Sequence, residues 1–149
     1  MTIKKAMILG AGLGKRMLPL TITTPKPLIM VGLKNLLERT IELLIKIGIN
    51  EIVINTHHLY EEIDNFLKSK NYQISISSKK EEILLDTGGG ILNATKNFNN
   101  EPFFVINPDT VWGRNYYEEL KILENFYLKK NKPTLLLVNK ANSHDKSFK

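Results

Sequence analysis

Short apolar runs at residues 6–9 (AMIL), 51–55 (EIVIN), 103–107 (FFVIN) and 134–138 (TLLLV) alternate with stretches of helical spacing. Leu37, Ile41 and Leu44 fall at i, i+4 and i+7, and Gly48 closes that helix. Tyr60, Ile63 and Leu67 mark one face of a second helix, and residues 116–130 read as a third. Residues 73–77 (QISIS) alternate like a strand with one wet face, and a short helix is expected over 91–96 after the glycines at 88–90. Strands that are apolar almost throughout and separated by helices predict an α/β fold with a mostly parallel sheet, covered on both faces in three layers. In such a sheet ligands sit beyond the carboxyl ends of the strands. The two least ordinary polar stretches, 10–16 and 107–110, both begin there.

Composition narrows the chemistry. A chain of 149 residues suits one domain, read here as 1–149. The absence of cysteine excludes disulfides, thiolate metal sites and a Cys nucleophile. No stretch approaches the roughly 20 apolar residues that span a bilayer, and the N-terminus lacks an export pattern, so a cytoplasmic protein without a membrane partner is expected. The net charge of +6 favours anionic partners. The lysines are scattered, however, and aromatics interleaved with bases on a strand are missing, which argues against nucleic acid.

The strongest local signal is Gly10-Ala11-Gly12-Leu13-Gly14-Lys15-Arg16. Alternating glycines directly after a strand let the backbone turn tightly and approach a ligand, with N–H groups lining a concavity suited to phosphate. Two cations follow at once, a point charge and a rigid fork. A P-loop would need glycine at Leu9 and Ser or Thr at Arg16; a dinucleotide fingerprint would need glycine at Lys15. Neither fits. A plain strand-to-helix turn with exposed bases remains the bland alternative.

Three further segments carry possible chemistry. In Thr24-Pro25-Lys26-Pro27 two prolines are expected to hold Lys26 on a stiff extended segment. Asp86-Thr87-Gly88-Gly89-Gly90 is a glycine loop against which a flat base or ribose could lie, or simply a flexible loop. Asn107-Pro108-Asp109-Thr110 sets a carboxylate after a buried strand with no neighbouring base in sequence, a plausible Mg²⁺ ligand, although aspartate often bonds its own turn. His57 and His58 lack acidic partners at helical spacing and suit a loop role better than a metal.

Taken in order, LGAGLGKRMLPLT, TPKPL, INTHHL, DTGGG and NPDTVW resemble the sugar-1-phosphate nucleotidylyltransferases, especially the N-acetylmuramate-1-phosphate uridylyltransferase and mannose-1-phosphate guanylyltransferase branches. The resemblance implies a Rossmann-like fold and the reaction of a nucleoside triphosphate, UTP or GTP, with a sugar 1-phosphate to give a nucleotide sugar and pyrophosphate. It implies that Gly10, Ala11, Gly12 and Gly14 cradle the nucleotide. Arg16, helped by Lys15, would hold the departing pyrophosphate, and Lys26 would neutralise phosphate charge. Thr87, Gly88 and Gly89 would border base and ribose, and Asp109 would hold Mg²⁺.

Two departures stand out. Gly10 replaces an alanine usual in the family, which is expected to loosen the loop. Family members also continue into a half that binds the sugar phosphate and supplies a second metal carboxylate, whose setting Asp145 does not match. The chain is therefore expected to be a truncated copy or one half of a split enzyme completed by a second chain. The rival reading is a nucleotide-binding regulatory module without catalysis. A sheet ended early leaves an unpaired edge and open apolar surface. Expressed alone, the 149-residue chain is expected to self-associate; a monodisperse monomer on size exclusion with a sharp cooperative melt would contradict this.

Overall fold

The computed structural model describes residues 2–113 and 116–136. In chain order it contains β1 (Lys5–Leu9), a small hairpin of β2 (Met30–Val31) and β3 (Lys34–Asn35), α1 (Leu36–Ile47), β4 (Glu51–Thr56), α2 (Tyr60–Lys68), β5 (Ser75–Lys80), α3 (Asp86–Ala94), β6 (Phe103–Ile106) and α4 (Tyr116–Lys130). The main sheet runs β5-β4-β1-β6 with every neighbouring pair parallel. The chain starts at β1, steps outward to β4 and β5, then crosses back to place β6 on the other side of β1. Connections therefore leave β1's two flanks in opposite directions, which opens a crevice above its carboxyl end.

The parallel register assigns side chains to two layers. Ile8 lies level with Ile54 and Ile106, and Met7 with Val53 and Val105. Ala6, Ile8, Ile52, Ile54, Phe104 and Ile106 face the larger core with Leu37, Ile41 and Leu44 of α1, Ile63 of α2 and Leu120 of α4. Met7 and Val53 face the smaller one with Ala94 and Phe98, from α3 and the turn after it. The expected covering of both faces is thus present, but it is lopsided. Val105 on the α3 side remains 40% exposed, and Ile122 and Phe126 on the outside of α4 are also open. Among the described residues β5 and β6 are the sheet's edges.

Local signals explain the elements. The Asn35 side chain caps α1 by accepting the Glu38 N–H at 2.7 Å, and Gly48 ends it at φ 96°, a conformation that costs glycine little. At the amino end of the sheet Lys5 sits 2.9 Å from Glu101 and 3.3 Å from Glu51. The hydrogen bond to Glu101, more than that to Glu51, raises the ammonium above its usual range. Helix α4 is tied down by a buried acid: Ile3 N–H donates to Glu124 at 2.6 Å, while Lys121 reaches the Ile47 carbonyl at 2.6 Å.

Strands β1, β4 and β6 match the sequence expectation to within one residue, whereas three segments depart further. The strand expected at 73–77 runs over Ser75–Lys80, because its partner β4 extends to Thr56 and pairing carries β5 on to Lys80. The helix expected at 91–96 begins at Asp86 and contains the three glycines. Residues 134–136 of the strand expected at 134–138 are not a strand, and 137 and 138 lie outside the described residues. No helix among the described residues is long and apolar enough to cross a membrane.

Tyr72 packs against the larger core with its hydroxyl buried and without a hydrogen-bond partner among the described residues. Burial, with Glu38 and Glu42 nearby, pushes its pKa from 10.0 up to about 12. The folded state therefore holds this proton more tightly than the unfolded chain, and the resulting stability is intact below pH 10 and lost between pH 10 and about 12. Tyr72→Phe is expected to leave neutral-pH stability nearly unchanged, since no hydrogen bond is lost. It should also flatten the alkaline fall, as read from urea unfolding at pH 8 to 11.5 in wild type and variant.

Candidate functional site

Beyond the carboxyl ends of β1, β4 and β6 lies a cleft of about 240 Å³. Its walls include Gly10, Ala11 and Gly12 after β1, Lys26, Thr87 of α3, and Asp109 after β6. Residues from four separate sequence stretches thus converge at the crevice set by the strand order.

The glycine loop is held tightly from both sides. Gly10 N–H donates to the Asn55 side chain at 2.9 Å. A Cβ at position 10 would lie 2.7 Å from the Asn55 carbonyl oxygen and 3.0 Å from Ile54 Cγ2. This corrects the expectation that glycine here loosens the loop: it allows β1 to lie closer to β4 than an alanine would. Gly14 adopts φ 64°, and a side chain there would strike Thr21, whose buried hydroxyl donates to the Gly14 carbonyl at 2.9 Å. His58 Nε2 lies 3.1 Å from the Thr21 carbonyl, clipping the same loop to the end of β4. Lys15 and Arg16 follow on a single 3₁₀ turn, Lys15–Met17. Both are exposed, outside the cleft lining, and without an ion pair among the described residues.

Lys26 is presented differently from expectation. Pro25 is extended at ψ 143°, but Lys26 itself opens a 3₁₀ turn, Lys26–Leu28, because Pro27 at its second position fits that turn and the Leu28 N–H bonds back to the Pro25 carbonyl at 2.8 Å. Lys26 Nζ donates to Asp109 Oδ2 at 2.6 Å, with the two side chains 23% and 37% exposed. Asp109 therefore does have a neighbouring base, one that sequence distance concealed.

The DTGGG segment forms the first turns of α3, not a free loop. Asp86, Thr87 and Gly88 are exposed at its amino end, whereas Gly90 is buried. A Cβ at Gly90 would meet Asn55 Nδ2 and Glu81 Oε1, each at 2.7 Å. Those two groups are what sequence reasoning missed. Asn55 is 4% exposed and donates to Glu81 Oε1 at 2.8 Å while accepting the Gly10 N–H. Glu81, 2% exposed, accepts the Leu85 N–H at 3.0 Å on its other oxygen, and its own N–H donates to the Thr56 carbonyl at 2.7 Å. It forms no salt bridge among the described residues. The available signal was an Asn ending an otherwise apolar strand; Glu81 was hidden in a segment that looks merely charged.

His57 Nδ1 lies 2.7 Å from the Glu81 carbonyl, so both histidines bond backbone, in keeping with a loop role. No cluster of three or more His, Cys, Asp or Glu suited to a metal occurs among the described residues. The cleft can thus offer the glycine-loop backbone, a lysine, an aspartate and a helix amino end, with two exposed cations on the adjoining turn that have no ion pair among the described residues.

A family model described as nucleotidyl transferase matches residues 5–148. Among curated relatives, an N-acetylmuramate alpha-1-phosphate uridylyltransferase of Neisseria meningitidis is 42% identical over 109 residues, 72% of this chain and 47% of that protein. A mannose-1-phosphate guanylyltransferase catalytic subunit beta of Dictyostelium discoideum is 37% identical over 110 residues, 72% and 31% respectively. The chain therefore spans between about a third and a half of the curated relatives it matches. A UDP-glucose pyrophosphorylase complexed with UDP-glucose superposes with TM-score 0.75 at 24% identity, over 87% of this chain and 55% of that one, which bears on the fold. HddC from Yersinia pseudotuberculosis gives 0.69 at 29% identity over 80% and 54%.

The glycines of α3 differ in what surrounds them, which separates packing from flexibility. Gly90→Ala is expected to break the Asn55–Glu81 contact and cost about 1–3 kcal/mol, as overpacking does. Gly88→Ala meets nothing within 4 Å and should gain up to about 1 kcal/mol from helix propensity. Urea midpoints moving in opposite directions would bear this out; equal shifts would contradict it.

Proposed function

The chain belongs to the nucleotidyl transferase family, and from that premise we propose that it carries the nucleoside-triphosphate-binding half of a sugar-1-phosphate nucleotidylyltransferase. The observation that carries this reading is the convergence of the glycine loop, Lys26, Asp109 and the amino end of α3 on one cleft. UTP or GTP is the favoured nucleotide, in line with uridylyltransferases and guanylyltransferases among the relatives. The setting we propose is the cytoplasm, where nucleoside triphosphates are held. A cell-wall or polysaccharide precursor is the proposed end use, and a partner chain would supply the sugar-phosphate side.

In the proposed reaction a sugar phosphate oxygen forms a bond to the α-phosphorus of the nucleotide. The bond from that phosphorus to the bridging oxygen breaks, and pyrophosphate leaves. No protein nucleophile is required, so positioning and charge neutralisation carry the work. The loop from Gly10 to Gly14 brings bare backbone to the phosphates, and Lys26 offsets charge at the reacting phosphorus. Lys15 and Arg16, both exposed and unpaired among the described residues, hold the leaving pyrophosphate, where the arginine fork grips two oxygens at once. Thr87, Gly88 and Gly89 border base and ribose; Gly88 leaves open space for a flat ring.

The donors in the cleft fit Mg²⁺. They are oxygens, and Asp109 already has a cation against it at 2.6 Å. One carboxylate with substrate phosphates and waters is an ordinary Mg²⁺ arrangement. Bound there, Mg²⁺ would neutralise developing phosphate charge.

The test is titration calorimetry of the folded chain with UTP, GTP, CTP and ATP in Mg²⁺, paired with a pyrophosphate-release assay on sugar 1-phosphates. One of UTP or GTP should bind. Arg16→Ala and Asp109→Ala should each weaken it about tenfold or more, the usual worth of a charged hydrogen bond. Unchanged affinity in both variants would refute the site. Binding without turnover is the outcome expected of a half-site that awaits a partner chain, whereas turnover by the 149-residue chain alone would show that no partner is needed.

A further inference from the structure

Lys26 and Asp109 have two demands on them that cannot both be met. Each is needed for the chemistry above, yet here each satisfies the other at 2.6 Å, and neither has another ionic partner among the described residues. We propose that Lys26 is the resting counter-ion of Asp109, which keeps the divalent-cation position closed until a triphosphate draws the lysine away. The proposal rests on the reading of the cleft as a nucleotide site and adds to it a coupling between nucleotide and metal.

The local construction favours such a switch. The backbone around Lys26 is fixed: Pro25 and Pro27 are buried, and the Leu28 and Ile29 N–H groups bond back to the Pro25 and Lys26 carbonyls. The four-carbon stem above it is flexible, so the ammonium can change partner without moving the turn. Both charged groups line the same cleft, so a triphosphate there is within reach of the lysine. A triphosphate carries several negative charges against one on Asp109, and Coulomb attraction favours the exchange. A divalent cation arriving first would face an ammonium already against its carboxylate. Once the lysine has moved, the same carboxylate is exposed to the metal. Metal and nucleotide then bind with positive coupling, and the coupling is reciprocal.

The first measurement is Mn²⁺ binding to the nucleotide-free 149-residue protein by electron paramagnetic resonance, with thermal melts as the check on folding. Wild type and Lys26→Arg, which keeps a cation, are expected to bind weakly. Lys26→Met should bind Mn²⁺ at least tenfold more tightly, and adding Asp109→Asn should abolish that gain. A folded Lys26→Met with wild-type Mn²⁺ affinity would overturn the proposal. The second measurement follows the lysine ammonium signals of the metal-free protein by nitrogen-15 NMR. The signal missing from Lys26→Met should shift when UTP or GTP is added. A gain in Mn²⁺ affinity with no shift for any nucleotide would keep the counter-ion and refute the nucleotide site. A shift without the gain would keep the nucleotide site and refute the counter-ion.

Discussion

The cleft is organised by one side-chain amide. Asn55, at the end of β4, accepts from Gly10 N–H and donates to Glu81, joining the loop after β1 to the segment that enters α3. Both bonds are buried, so neither group has water as a substitute. An amide is suited to this because it carries a donor and an acceptor on one short stem; aspartate when ionised would only accept, and leucine would leave both neighbours unsatisfied. The glycines at 10 and 90 both follow from close approach to Asn55, the first to its backbone and the second to its side chain. One admits the Asn55 main-chain carbonyl and the other admits the Asn55–Glu81 side-chain pair, each at distances a Cβ could not share.

The lopsided layering gives that hydrogen-bond chain more to do on one side than on the other. The larger core packs three helices against the sheet and fixes the strand ends from below. Helix α3 has far less apolar support, chiefly its own Ala94 against Met7, Val53 and Phe98. Its position therefore depends more heavily on the Glu81 carboxyl that accepts the Leu85 N–H just before the helix starts. A wall held by polar bonds over a thin apolar layer is easier to displace than a helix seated in a full core. That wall is the one proposed to border the base.

Much of this was legible in the sequence. Apolar runs and helical periods gave the layered α/β plan, because a buried parallel strand must be apolar on both faces, and Gly48 closes α1 as cap chemistry requires. The stretches after β1 and β6 were correctly expected at one end of the sheet. What could not be read were relations across sequence distance. Nothing near Lys26 indicates Asp109, 83 residues away, and nothing near Gly90 indicates Asn55. The glycines at 88–90 looked like a break in the chain because glycine is a poor helix former in isolation; close packing on a buried polar pair overrides that preference. The edge strand β5 starts two residues and ends three residues later than expected because pairing to β4, not its own alternation, sets its extent.

The positive charge of the chain has a similar lesson. A net +6 spread over many lysines suggests a diffuse attraction for polyanions. In the structure, Lys5, Lys34, Lys70, Lys80 and Lys121 each sit against a carboxylate and none lines the cleft; the exposed pairs among them, those of Lys34 and Lys80, contribute little beyond local neutralisation. The cations relevant to the cleft are few and close in sequence. Lys15 and Arg16 follow the glycine loop without carboxylate partners among the described residues, and Lys26 lines the cleft with one. What distinguishes this site is thus not excess charge but two cations without an ion pair among the described residues, on the turn that directly follows a glycine loop lining the cleft. A phosphate chain matches that combination better than a flat polyanionic surface does, because only a compact anion can use the concave loop and the adjoining cations together.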